Sequence, residues 1–155
     1  MLTAMNGYLI FILAVLAGRY LLNLAADLLD ARHIRPQVPD EFRGAVDEDQ
    51  YATWQRYLAD SKRFGIVEDT TATAATIVFL LAGGFAWVDQ LARGAASGSI
   101  LRGLVFAGLL VLAGKLLSLP FSLYDTFVLE ERYGFNRTTP RTFALDLLKE
   151  LLLTA

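Results

Sequence analysis

A chain of 155 residues that is 55% apolar and only 19% charged has room for one domain and few charges with which to coat a soluble one. Its 14 basic side chains nearly balance 16 acidic ones, so nothing electrostatic favours a nucleic-acid partner. The lack of cysteine removes disulfides, thiolate nucleophiles and Cys-based metal sites.

Charge gathers in residues 31–69 and 130–150, with long apolar runs elsewhere. This pattern predicts an all-α transmembrane bundle in a single membrane domain. The expected parts are three spans, the start of a fourth, and an amphipathic loop helix on the cytoplasmic side. The first span covers about residues 8–29, the length a bilayer core requires, and is apolar apart from Arg19, Asn23 and Asp27. A cleaved signal peptide fits less well, because residues 1–7 carry no basic side chain and the apolar stretch is too long. Arg19, Asn23 and Asp27 stand at i, i+4 and i+8 and so form one stripe.

The loop 31–69 opens with Pro36 and Pro39, followed by the acidic group Asp47, Glu48 and Asp49. Tyr51, Trp54, Tyr57, Leu58 and Phe64 then recur at helical spacing, with Gly65 as the expected stop. That predicts an amphipathic helix lying at the membrane surface. The second span, about residues 70–88, has no charge and ends near Trp87. A turn-rich stretch at 93–99 leads to the third, about residues 100–121, interrupted by Lys115 and Pro120. Gly83, Gly84, Gly103, Ala107 and Gly114 are small enough for close helix packing, and Pro120 is placed to kink its helix.

Lys115, Ser118, Ser122 and Asp125 make a second stripe at i, i+3, i+7 and i+10. Polar groups within membrane helices turn toward a bundle interior or a wet cavity. The two stripes therefore either line a shared chamber or pair structurally, Arg19 with Asp125 or Lys115 with Asp27. Residues 31–66 hold six Lys and Arg, namely Arg32, Arg35, Arg43, Arg56, Lys62 and Arg63, whereas 89–99 hold only Arg93. With Arg132, Arg137, Arg141 and Lys149 in the tail, the positive-inside rule puts the N-terminus outside and both polar stretches in the cytoplasm. Thr139-Pro140 reads as an N-cap and first helical residue, opening a helix over about 140–155 that is starting a fourth span when the sequence ends.

No catalytic, cofactor-binding or metal-ligating residue can be assigned. A zincin helix needs two histidines one turn apart, and His33, in a basic membrane-edge segment, is the single histidine. Residues 108–115 only superficially resemble a phosphate loop: the glycine spacing is one residue too long and Leu116 replaces the magnesium-binding hydroxyl. Asn136-Arg137-Thr138 is a formal glycosylation sequon on the side where that modification does not occur.

Residues 119–139 carry the pattern Leu-Pro-x-Ser-x-Tyr-x-Thr-Phe-Val-x-Glu-Glu-x-x-Gly-Phe-Asn-x-x-Thr, which closely resembles the stretch after the third membrane helix of type I CAAX prenyl proteases. Tyr51-x-x-x-Gln55-x-Tyr57-x-x-Asp60-x-x-x-Phe64 is similar to that family's first cytoplasmic loop. The resemblance implies a membrane zinc metallopeptidase with seven helices around a water-filled chamber. Its metal ligands, an H-E-x-x-H helix and a later glutamate, would lie beyond residue 155, so zinc is expected in a full-length protein and no cofactor in this chain. Implied partners are the lipid bilayer, the catalytic peptidase domain, and a peptide or prenylated-protein substrate. Glu130, Glu131, Gly134, Phe135 and Asn136 are then expected to dock that domain or shape its entrance.

The leading functional expectation is thus the N-terminal transmembrane domain of a zinc endopeptidase. The alternative is a stand-alone, non-enzymatic membrane scaffold. A small transporter or channel subunit would draw only on the polar stripes, and no internal repeat supports it. Short loops and an Ala/Leu/Arg-rich composition lean toward a bacterial inner membrane.

Overall fold

The computed structural model describes residues 7–34, 38, 44 and 47–154. These form five α-helices: α1 (Gly7–His33), α2 (Glu48–Leu81), α3 (Gly84–Ala95), α4 (Ser99–Tyr124) and α5 (Pro140–Thr154), with a π-helical segment Asp125–Glu130 extending α4. The protein is all-α, and three of its helices are long and apolar enough to cross a membrane: α1, α2, and α4 with its extension. It is an integral membrane protein. The prolines of the first loop, Pro36 and Pro39, lie outside the described residues, as do Arg35 and Arg43.

Side chains along α1 that would be costly in water, such as Phe11, Leu21 and Leu22, are exposed. In a bilayer that exposure costs little, because lipid tails are as apolar as the side chains. The buried apolar set is correspondingly small. Val88, Ala92 and Ala96 are covered where α3 meets α4, and Leu129 is covered in the π-helical segment.

The helix α2 corrects two expectations. It is one rod of 34 residues, on the order of 50 Å long, against a hydrocarbon core of roughly 30 Å. The amphipathic loop helix and the second span are therefore the same element, and Gly65 lies inside it rather than ending it. A helical glycine costs about 1 kcal/mol relative to alanine, too little to stop a helix that packs against α1, α4 and the π-helical segment. Its start is well defined, since the Asp47 carboxylate accepts from the amides of Asp49 at 3.0 Å and Gln50 at 3.1 Å. Farther along, the hydroxyls of Thr70, Thr71 and Thr76 donate to carbonyls one turn back, which hides them from lipid.

The second span also breaks before Val88. The helix α2 ends at Leu81, and Gly83 takes a left-handed φ of 74° that a side chain would resist. At Gly84 a Cβ would come within 2.3 Å of the Phe79 ring. The glycine pair thus lets the backbone turn beneath Phe79, whose ring meets Phe85 edge-on at 5.1 Å. Twelve residues of α3, roughly 18 Å, are too few to span alone. They pack antiparallel to the start of α4, with Phe85 opposite Phe106, and Trp87 sits on this helix with its ring exposed.

Both α1 and α4 lean on α2, and among the described residues their backbones do not come close to each other. Pro120 lies inside α4, and five residues later the backbone passes into the wider π register.

Candidate functional site

Half of α2, residues 48–64, reaches beyond the apolar window as a stalk. Tyr57, Asp60 and Phe64 fall at i, i+3 and i+7, which places them on one face. The segment after α4 folds back onto that face.

Its geometry starts with a helix end. Gly134 has φ of 74°, its amide donates to the Glu131 carbonyl at 3.1 Å, and the Phe135 amide donates to the Glu130 carbonyl at 2.9 Å. This paired bonding around a left-handed glycine is a Schellman stop. It turns the chain so that Tyr133 and Phe135 both face Tyr57, with ring centroids at 5.7 and 5.0 Å. The Tyr133 hydroxyl donates to Asp60 Oδ2 at 2.7 Å, and Arg132 and Arg63 approach the same carboxylate at 3.8 Å each. Holding that bond raises Tyr133 above its ordinary value; burial and the Asp60 charge act the same way, against Arg132 and Arg56. Nearer the membrane, Phe64 stacks on Tyr124 at 4.8 Å and touches Phe121 at 5.9 Å.

Of the residues expected to dock a catalytic domain, Glu130 contributes its carbonyl to this stop, accepting from the Phe135 and Asn136 amides, and Phe135 lies against Tyr57 while staying 37% exposed. Asn136 is internally engaged: its Nδ2 donates to Glu131 Oε2 at 3.0 Å, and its Oδ1 accepts from the Thr138 amide at 2.7 Å. Thr139 then caps α5, its Oγ1 accepting from the Thr142 amide at 3.2 Å.

The polar stripes separate. Lys115, Ser118 and Ser122 line a groove of about 350 Å³ whose other wall is Phe143, Asp146, Leu147 and Glu150 of α5. Lys115 pairs with Glu150 across it. Asp125, half-buried, opens the π-helical segment. On α1, Arg19 lies 3.9 Å from Asp69, Asn23 is exposed, and Asp27 receives Lys62 at 2.9 Å, which also reaches Asp30 at 3.2 Å. Neither expected pairing forms, neither Arg19 with Asp125 nor Lys115 with Asp27. Each cation instead takes a carboxylate from the helix it actually touches, and α2 stands between the two stripes. Sequence reasoning missed Asp69, Lys62 and Glu150 as partners, and Asp146 as part of the groove wall. Asp146 and Glu150 share a helical face with Phe143 and Leu147, and that spacing was the available signal. Among the described residues no three His, Cys, Asp or Glu side chains come together as a metal site.

Comparison with known proteins bears on the same segments. A family model described as CAAX prenyl protease N-terminal, five membrane helices, matches residues 29–155. The chain belongs to this family. Within the family it is 35% identical over 157 residues to the probable CAAX prenyl protease 1 of Schizosaccharomyces pombe, covering 90% of this chain and 33% of that protein. It is 29% identical to the CAAX prenyl protease 1 homolog of Oryza sativa, covering 91% of this chain and 36% of that one. The chain therefore spans about a third of the length of these CAAX prenyl proteases. The crystal structure of S. mikatae Ste24p matches with a TM-score of 0.85 at 24% identity, over 96% of this chain and 36% of that chain, and so shares the fold.

Proposed function

We propose that this membrane domain scaffolds a CAAX-prenyl-protease-like zinc endopeptidase, forming part of the wall of a water-filled chamber and docking the catalytic domain. The observation that supports it is the junction of stalk and post-α4 segment. The two motifs that resemble the family are held to each other by Asp60, Tyr133, Tyr57 and Phe135, outside the hydrocarbon. Polar side chains committed to such a platform are better explained by a neighbouring domain than by lipid contact alone.

In this reading the N-terminus lies outside and the stalk in the cytoplasm, as the distribution of Lys and Arg favours. Glu131 and Phe135 keep exposed surface there, suited to a polar rim and an aromatic anchor. Lys115, Ser118 and Ser122 supply polar wall from the groove facing α5, while Arg19 and Asp27 pair with α2 and Asn23 keeps exposed polar surface on the α1 side. Zinc, its ligands and the prenylated or membrane-associated peptide would belong to the rest of such a protein.

Reading the coding DNA downstream of the Ala155 codon tests this directly. An open frame carrying further spans and an H-E-x-x-H helix is expected. A stop codon at that point would sink the peptidase reading and leave the stand-alone scaffold. In the full-length protein, Glu131→Ala and Asn136→Ala should lower peptide release or folded yield. Cysteines at Asn23 and Ser122 should react with a water-soluble thiol reagent, and complete protection of both would remove the chamber.

A further inference from the structure

At the membrane face opposite the stalk, α3 and α4 enclose a groove of about 390 Å³ lined by Phe85, Asp89, Ser99, Arg102, Gly103 and Phe106. Arg102 stands one turn into α4, and its Nε is buried with no hydrogen-bond partner. Among the described residues its guanidinium forms no ion pair. The carboxylate best placed to answer it is Asp89, in the same groove, yet Asp89 already accepts from Arg93 Nε at 2.6 Å. The groove region therefore holds two guanidinium groups and one carboxylate. A buried donor left unsatisfied is costly, more so when it is charged, so one anion is called for here.

We infer that this groove binds the phosphodiester of a membrane phospholipid. Three further features suit it to a lipid rather than to free phosphate. Ile100, Leu101 and Leu104, exposed on α4 beside the groove, offer an apolar track for acyl chains. Trp87, 62% exposed on α3, is the kind of side chain that sits at headgroup level. At the start of α4, Gly98 provides no side-chain cap, so first-turn amides add to the positive field around Arg102. Arginine at a helix end extends toward the interface, and here it would do so with its neighbour carboxylate already neutralised.

The full chain encoded by the gene, purified in detergent, would be titrated with dioleoylphosphatidylglycerol, dioleoylglycerol or inorganic phosphate, with bound species counted by native mass spectrometry. One retained phosphatidylglycerol per chain is expected, with dioleoylglycerol retained at least about tenfold less. Arg102→Gln should lower retention about tenfold, while Arg141→Gln, at the other face, should leave it unchanged. Gly103→Leu provides a second route, because a Cβ there meets open space and the side chain would fill the groove with Arg102 intact. It too should reduce retention. Equal retention by Arg102→Gln and wild type would overturn the site, as would equal retention of dioleoylglycerol. Displacement of lipid by millimolar inorganic phosphate would overturn the lipid assignment. Loss of folded yield in Arg102→Gln with no lipid on the wild type would mean that Arg102 serves an internal carboxylate, which also overturns it.

Discussion

The two ends of the α2–α4 unit solve the same problem differently. At the stalk end, polar groups find partners within the chain: Asp60 gathers Tyr133, Arg132 and Arg63, and Glu131 holds Asn136. At the other end Arg102 stays unanswered while Asp89 is occupied by Arg93. An internally closed network holds its shape in any surroundings. An open one takes its last partner from whatever lies next to it. The contrast teaches that the stalk end is built as a fixed platform and the opposite end as a contact with something outside the described chain.

The largest test of this contrast is Asp60→Ala, which removes the hub of the closed network. It should destabilise the stalk junction by about 2 kcal/mol, the scale of a charged hydrogen bond plus its stranded partners. Hydrogen exchange over residues 131–139 should accelerate while α3 is unaffected; unchanged exchange would mean the aromatic contacts alone hold the junction. Next, Gly134→Ala places a Cβ at a φ of 74° and should cost about 1 kcal/mol in thermal melting through the same junction. Tyr133→Phe should cost about 0.5–1.5 kcal/mol at neutral pH by deleting one bond to Asp60.

The same hydroxyl gives a pH test. Its raised value in the folded state means the bond contributes fully below the ordinary tyrosine value of about 10 and is lost as pH climbs through the folded value. Wild type should therefore lose stability on the alkaline side more steeply than Tyr133→Phe, and parallel alkaline arms would detach the tyrosine from the effect. The smallest change is expected for Arg102→Gln in lipid-free detergent. Thermal stability should stay close to that of wild type, because no internal bond is broken.

The membrane class, the three apolar segments and the capped start of α5 were legible because each rests on composition or local spacing. Helix boundaries were less so. Gly65 reads as a stop, since a glycine after an amphipathic run fits one, but only the tertiary support of α1 and α4 decides whether the helix continues. The break at Gly83 has a physical cause, the Phe79 ring over Gly84, that lies in packing and leaves no periodic trace. The stripes themselves were visible, but their partners were not. Periodicity says which residues share a face, never which helix that face meets, and α2 turned out to stand between α1 and α4. Family resemblance located the segment 119–139 without showing that Tyr133 would close it onto Asp60.

The unbroken α2 rod has a mechanical consequence. With no hinge at Gly65, a change of tilt inside the bilayer cannot be absorbed where the helix leaves it. A rotation of 5° would carry the stalk tip, roughly 25 Å farther out, through about 2 Å. The segment clamped at Asp60 would ride along. Bilayer thickness, which biases helix tilt, thereby becomes a coordinate of the stalk's aromatic face.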